Sequence, residues 1–139
     1  MIDAKAYLRQ VEKIDLCIQN KLIERQQWRD IATGITASIG TERVQSSGSQ
    51  QKMADAVVKC VDMETEINTL VDNLIEVKKD VISTIEKLDS PTEYDILHKR
   101  YIQFMTLQEI ADRCGREYTT ITTAHGRALK KVQNLLHKQ

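Results

Sequence analysis

Apolar residues mark out long helices along most of this chain. Between residues 3 and 32, Val11, Ile14, Ile18, Leu22, Trp28 and Ala32 recur at three-, four- and seven-residue spacings, with Glu, Lys, Arg and Gln between them. This predicts one long helix with Asp3 as its N-cap. Arg25 interrupts the stripe. From Thr33 to Gln50 the chain is rich in Thr, Ser and Gly, with Gly34 and Gly40 breaking the pattern. A flexible connector or hairpin turn is expected over 33–50, parts of it helical or packed along its neighbours. A second long helix is expected from Gln51 to Leu88, capped by Ser47 or Ser49. Its seam reads Cys60, Glu64, Ile67, Val71, Leu74, Lys78, Val81, Ile85 and Leu88 at alternating four and three spacings. That is a heptad stripe, widened by Leu70, Ile75, Val77 and Ile82. It needs a partner helix: either the first helix, in an antiparallel hairpin, or a second copy of the chain.

Ser90-Pro91-Thr92-Glu93 is a helix start, with Ser90 as cap, Pro91 at the first helical position and Glu93 completing a capping box. The same proline ends the preceding helix. Asp89–Ser90 is therefore the expected domain boundary. It separates a long-helix oligomerisation or spacer region (1–89) from a C-terminal head (90–139). A helix over Thr92–Gln103 is expected to bury Tyr94, Leu97 and Tyr101. Thr106-Leu107-Gln108-Glu109 is a second capping box, opening a helix with Leu107, Ile110, Ala111 and Cys114 on its apolar face. Gly115 makes the turn, because a positive φ is cheapest at glycine. The next helix starts near Glu117 or Tyr118. Its inward face is Ile121, Ala124 or His125, Ala128, Leu129 and Val132. The fold class expected is all-α: a long helical hairpin or coiled coil followed by a helix-turn-helix head.

The outward face of that last helix begins with Tyr118, Thr119, Thr120, Thr122 and Thr123. Four threonines in five positions are poor helix formers. In a helix-turn-helix the N-terminal half of the second helix enters the major groove, where threonine offers a hydroxyl and a methyl to base edges. DNA is thus the first partner to consider.

Composition agrees with long helices: 4% aromatic residues, one proline and 29% charged residues. The net charge of zero hides an asymmetry. Residues 1–89 hold 12 Lys/Arg against 15 Asp/Glu, and residues 90–139 hold 8 against 5. Within 116–139 five basic residues face one acidic residue, the electrostatic footprint of a nucleic-acid face. Cys17, Cys60 and Cys114 lack ligand spacing, which argues against zinc and suits small buried apolar groups in a reducing cytosol. His98 and His137 are expected to face solvent, and His125 to be structural rather than a phosphate donor. No cofactor and no catalytic constellation is read from the chain, so an enzyme is not expected. A protein of the cytoplasm, without a membrane partner, is expected.

Residues 97–136, LHKRYIQFMTLQEIADRCGREYTTITTAHGRALKKVQNLL, resemble region 4 of bacterial sigma factors without a gap. The matching pieces are LxxRY before the motif, T-LxEIA in its first helix, glycine at the turn, and the RALKK run from Arg127 to Lys131. The whole chain resembles small phage and prophage sigma-factor-like proteins, akin to ArpU- and RinA-type regulators of late genes. The resemblance implies a sequence-specific transcriptional regulator that binds double-stranded DNA. It implies base-reading roles for Tyr118, Thr119, Thr122 and Thr123, and phosphate contacts from Arg116, Thr120, Arg127, Lys130 and Lys131. Several reading positions depart from the family's arginine, glutamate and glutamine, so its promoter specificity is not implied. Gly126 inside the recognition helix costs about 1 kcal/mol against alanine. No counterpart of the promoter-melting region 2 is present, which favours a sigma-like regulator over a promoter-opening factor. The expected assembly is a homodimer through the long helices, hosted in the bacterial cytoplasm if the chain is of phage or prophage origin. The alternatives are an adaptor bound to RNA polymerase and a DNA-packaging subunit of the small-terminase kind.

Overall fold

Asp3 starts the first helix: its Oδ2 accepts the Ala6 N–H at 3.2 Å, satisfying one of the N–H groups that a helix start leaves unpaired. The structure, a computed structural model, describes residues 3–34 and 47–138. It is all-α, with α1 (Ala4–Thr33), α2 (Ser47–Ile85), α3 (Pro91–Leu97), a π-helical turn (His98–Ile102), α4 (Leu107–Cys114) and α5 (Tyr118–His137). No strand occurs among the described residues. None of their helices is long and apolar enough to cross a membrane. Most of the connector expected over 33–50 lies outside the described residues, which include only 33–34 and 47–50 of it.

The described chain divides into two compact units, and the division differs from the expected boundary at Asp89–Ser90. One unit comprises Met1–Asp15 with Leu74–Gln139; the other comprises Leu16–Asn73. The physical reason lies in the first unit's core. Ala4, Tyr7, Leu8 and Val11 of α1 and Val81 and Ile85 of α2 are buried in one cluster with Leu97, Tyr101, Ile102, Ala128 and Val132. The helical head therefore borrows two walls from the long helices. Polar bonds fix those walls. The Tyr7 hydroxyl bonds Asp80 Oδ2 at 2.5 Å and Thr84 Oγ1 at 2.8 Å. The Ala4 N–H donates to Gln133 Oε1 at 2.7 Å. Burial, with Asp80 beside it, pushes the Tyr7 phenol up to about 12, so it stays protonated.

In the second unit α1 and α2 run antiparallel. Lys21 Nζ bonds Glu66 Oε2 at 2.9 Å, and Cys60 Sγ approaches the Arg25 carbonyl at 3.8 Å. The seam register differs from the one read off the sequence. Cys60, Ile67, Leu74, Val81 and Leu88 are common to both. The inward partners are Met63, Leu70, Val77 and Thr84, not Glu64, Val71 and Lys78, while Ile85 is buried next to Thr84. Choosing the residue three ahead instead of four removes two charges from the seam, which is why that register wins. Arg25 does not interrupt the stripe but stays on it, half-buried, with its guanidinium directed to Glu64 at 3.9 Å. Arg29 reaches the same carboxylate at 3.7 Å.

Helix ends also shift. α2 starts at Ser47 and stops at Ile85, where Lys87 and Leu88 close a tighter turn onto Thr84 and Ile85. The chain must be extended by Ser90 (φ −86°, ψ 117°), ahead of Pro91. Ser90 Oγ caps α3 by accepting the Glu93 N–H at 3.2 Å. The expected helix over 92–103 becomes α3 plus the π-helical turn. The widened turn buries both Tyr101 and Ile102, and Phe104 then takes a left-handed φ of 61° to redirect the chain into α4. Such a φ is strained for a bulky residue; Phe104 packs against the first unit's core in that position. Cys17 is exposed, contrary to the expectation of three buried thiols.

Tyr7→Phe is expected to cost about 1 kcal/mol of stability, the net value of a buried hydrogen bond. Denaturant titration checks this: an unchanged midpoint would remove the phenol's role as the bridge between α1 and α2.

Candidate nucleic-acid interface

α4 begins with reciprocal caps. Glu109 N–H donates to Thr106 Oγ1 at 3.1 Å, and Glu109 Oε1 accepts the Thr106 N–H at 3.3 Å. Gly115 ends α4 at φ 65°, ψ 35°, a backbone state that favours glycine. Arg116 N–H then closes the turn onto the Ala111 carbonyl at 3.0 Å. α5 starts at Tyr118 after an extended Glu117. Ile110 and Ala111 of α4, Ile121 and Ala124 of α5 and Ile96 of α3 form a second buried cluster. Two turns further along α5, Ala128 and Val132 enter the first cluster. α5 is thereby pinned along its inner face, and its outer face is fixed by default.

That outer face carries most of the residues singled out from the sequence. Tyr118, 45% exposed, lies at its start. Thr119, Thr120 and Thr123 are exposed and Thr122 is half-buried. Thr122 Oγ1 donates to the Thr119 carbonyl at 3.0 Å and Thr123 Oγ1 donates to the same carbonyl at 2.8 Å. These local bonds account for a threonine run inside a helix. They also commit both hydroxyl protons, leaving the oxygen lone pairs as acceptors. Gly126 lies on the exposed side, and a Cβ added there meets nothing within 4 Å. Packing does not require that glycine, and it leaves the helix backbone uncovered.

The cations divide into two kinds. Arg116, Arg127 and Lys130 are exposed and have no acidic partner among the described residues. Lys131 is different: its Nζ donates to Glu93 Oε2 at 2.6 Å, and the Glu93 side chain is only 8% exposed. Glu93 accordingly does not complete the capping box expected at Ser90. Its carboxylate crosses from α3 to α5 instead. A buried carboxylate stripped of its cation is strongly destabilising, so Lys131 ties α5 to α3 whatever else it contacts. Nothing in the sequence spacing of 93 and 131 announces this pair.

Sequence reasoning also missed the partner of His125. The imidazole is 9% exposed; it shares a 2.8 Å hydrogen bond with the Tyr101 hydroxyl and stacks on that ring. Burial, then the charges of Arg100, Lys5 and Arg9, hold its pKa below the ordinary 6.5. His125 is thus a neutral part of the core beneath the outer face, as expected of a structural residue. His98 is half-buried, bonded to Gln103 at 2.9 Å and tilted against Tyr94, so it does not face solvent freely. His137 is exposed. Among the described residues no group of His, Cys, Asp and Glu is placed to hold a metal ion.

A histidine with a lowered folded-state pKa favours the folded chain above 6.5 and loses that contribution as pH falls, because the unfolded chain takes up the proton first. The melting temperature of the wild type should therefore drop more steeply between about pH 7.5 and about pH 5.5 than that of His125→Asn. Parallel melting curves for the two proteins would show that His125 is not the group that titrates.

No curated protein and no solved structure shows significant similarity to the chain. A family model matches residues 35–133, which take in all of α2, α3 and α4 and α5 as far as Gln133. Since the match spans well over half of the sequence, the chain belongs to the family described as Protein of unknown function (DUF1492).

Proposed function

We propose that this chain is a sequence-specific DNA-binding transcriptional regulator of the phage or prophage type, with a head like sigma region 4 that lays the first half of α5 in a major groove. The observation that carries the reading is the pinned α5, whose outer face combines exposed Thr119, Thr120 and Thr123 with the cations Arg127 and Lys130, which have no acidic partner among the described residues. A helix held on two buried clusters keeps such a face in one orientation, which groove reading requires. Threonine methyls suit contact with thymine methyls, and the free lone pairs suit base amino groups. Arg116, Arg127 and Lys130 supply phosphate attraction without first breaking an ion pair.

The regulator acts as a homodimer in this reading. α2 carries a second three-and-four stripe, Ala54, Val57, Val61, Asn68 and Val71, on a side that α1 leaves exposed; Val57 is 51% and Val61 57% exposed. The charge inside this stripe, Glu64, is already met by Arg25 and Arg29. A lone Asn in an apolar stripe is the kind of residue that fixes register between paired helices. The inner stripe pairs within the chain, and the outer stripe is the one left for a second copy.

Selection of bound sites from a random DNA pool tests the central claim. With a selected site, Arg127→Ala combined with Lys130→Ala should weaken binding to every sequence and reduce the salt slope by about 2. Thr122→Ala with Thr123→Ala should relax preference at one or two base positions and leave the salt slope unchanged. If no duplex binds even at low salt, the reading fails. Separately, Val57→Glu with Val61→Glu should convert a dimer into a monomer of unchanged helix content, as read by sedimentation equilibrium and circular dichroism. A wild type that is monomeric at all concentrations would remove the dimer.

A further inference from the structure

A cleft of about 140 Å³ opens between the start of α3 and the first half of α5. Its polar lining is Ser90, Thr92, Arg116, Thr120 and Arg127, over a floor that includes Ile121 and Ala124. The two guanidinium groups have no acidic partner among the described residues. Glu93 also borders the cleft, but its carboxylate is occupied by Lys131 at 2.6 Å. The local charge left uncompensated is therefore that of two arginines. Three hydroxyls are gathered around them, each able to donate to an oxyanion.

The chemistry of this lining selects a tetrahedral oxyanion. Planar guanidinium forks match phosphate oxygens in pairs, and charge-assisted hydrogen bonds are about twice as strong as neutral ones. Size agrees with that choice. A volume of 140 Å³ equals roughly four to five water molecules at about 30 Å³ each. A phosphate group fits that space.

We propose that this cleft is a phosphate seat, in which Arg116 and Arg127 grip one phosphate group and the hydroxyls of Ser90, Thr92 and Thr120 donate to its oxygens. The bearer of the phosphate is a DNA backbone; that part rests on the reading of α5 as a groove helix, whereas the seat itself does not. Ser90 and Thr92 belong to α3, outside the helix-turn-helix pair. A phosphate held there sets how far α5 is rolled about its axis when it meets the groove. Phosphate contacts of this sort position a protein without reading sequence.

Two measurements on the full chain test the seat. In the first, amide resonances are followed as inorganic phosphate is added at constant ionic strength. Shifts should centre on Ser90, Thr92, Arg116, Thr120 and Arg127, and vanish in Arg116→Gln with Arg127→Gln. In the second, binding to a random-sequence DNA duplex is compared between wild type and Thr92→Val, which removes a hydroxyl and no charge from an exposed position. Loss of one hydrogen bond to a charged group predicts roughly tenfold weaker binding. A duplex bound equally well by both proteins, with no phosphate-induced shifts in the cleft, overturns the seat and leaves the DNA reading standing. Phosphate-induced shifts with no duplex bound support the seat, make free phosphate its occupant and overturn the DNA reading. Shifts together with tenfold weaker duplex binding support both.

Discussion

Everything in the first compact unit hangs on the burial of Leu8, Val81, Ile85, Leu97 and Ala128 in one cluster. Leu8, Ile85 and Leu97 are among its largest fully enclosed side chains, each contributing about 1.5–3 kcal/mol relative to exposure. They come from α1, α2 and α3, and Ala128 brings α5 against them. An alanine at that point lets α5 lie close, so that Val132 one turn on is enclosed as well. The orientation of α5 is then a consequence of apolar packing along its inner face. The polar bonds of Tyr7 to Asp80 and Thr84 set the register of the two long helices in that packing.

Charge is apportioned on top of this frame. α5 carries three cations in its basic run, and they do different jobs. Lys131 neutralises a carboxylate that α3 has buried. Arg127 and Lys130 stay in solvent with their charge undischarged. His125, on the inner side of the same helix, is joined to buried Tyr101 by a hydrogen bond. Burial, and then the positive charge of Arg100, Lys5 and Arg9, disfavours protonation of the imidazole.

The helical pattern, both N-caps at Asp3 and Thr106, the glycine turn and the inward residues of α4 and α5 were legible in the sequence. These depend on local chemistry and on periods of three to four residues, which a single chain displays directly. What was not legible depends on distance. The heptad register on α2 was misjudged because Glu64 and Met63, or Lys78 and Val77, are adjacent. A repeat of seven accepts either until the partner helix is in place. The division into compact units was not legible at Asp89–Ser90, because the proline that follows marks where a helix ends, not which helices share a core. The Lys131–Glu93 pair and the cleft beside it required α3 and α5 to be brought together, and no spacing rule covers residues 38 positions apart. The π-helical turn left no sequence mark: LHKRYIQ has the composition of an ordinary helix.

The bond from Ala4 to Gln133 joins residues 129 positions apart. During synthesis the first turns of α1 leave the ribosome long before α5 exists, at about 5–20 residues per second. Tyr7, Leu8 and Val11 can therefore meet Asp80, Val81, Thr84 and Ile85 of α2 first, but their full enclosure waits for α5. Loop closure of this span is slow relative to the local pairing of α4 with α5. The helix-turn-helix is thus ready to form as soon as it is made, while the wall that steadies it, far earlier in the sequence, is the last to be seated.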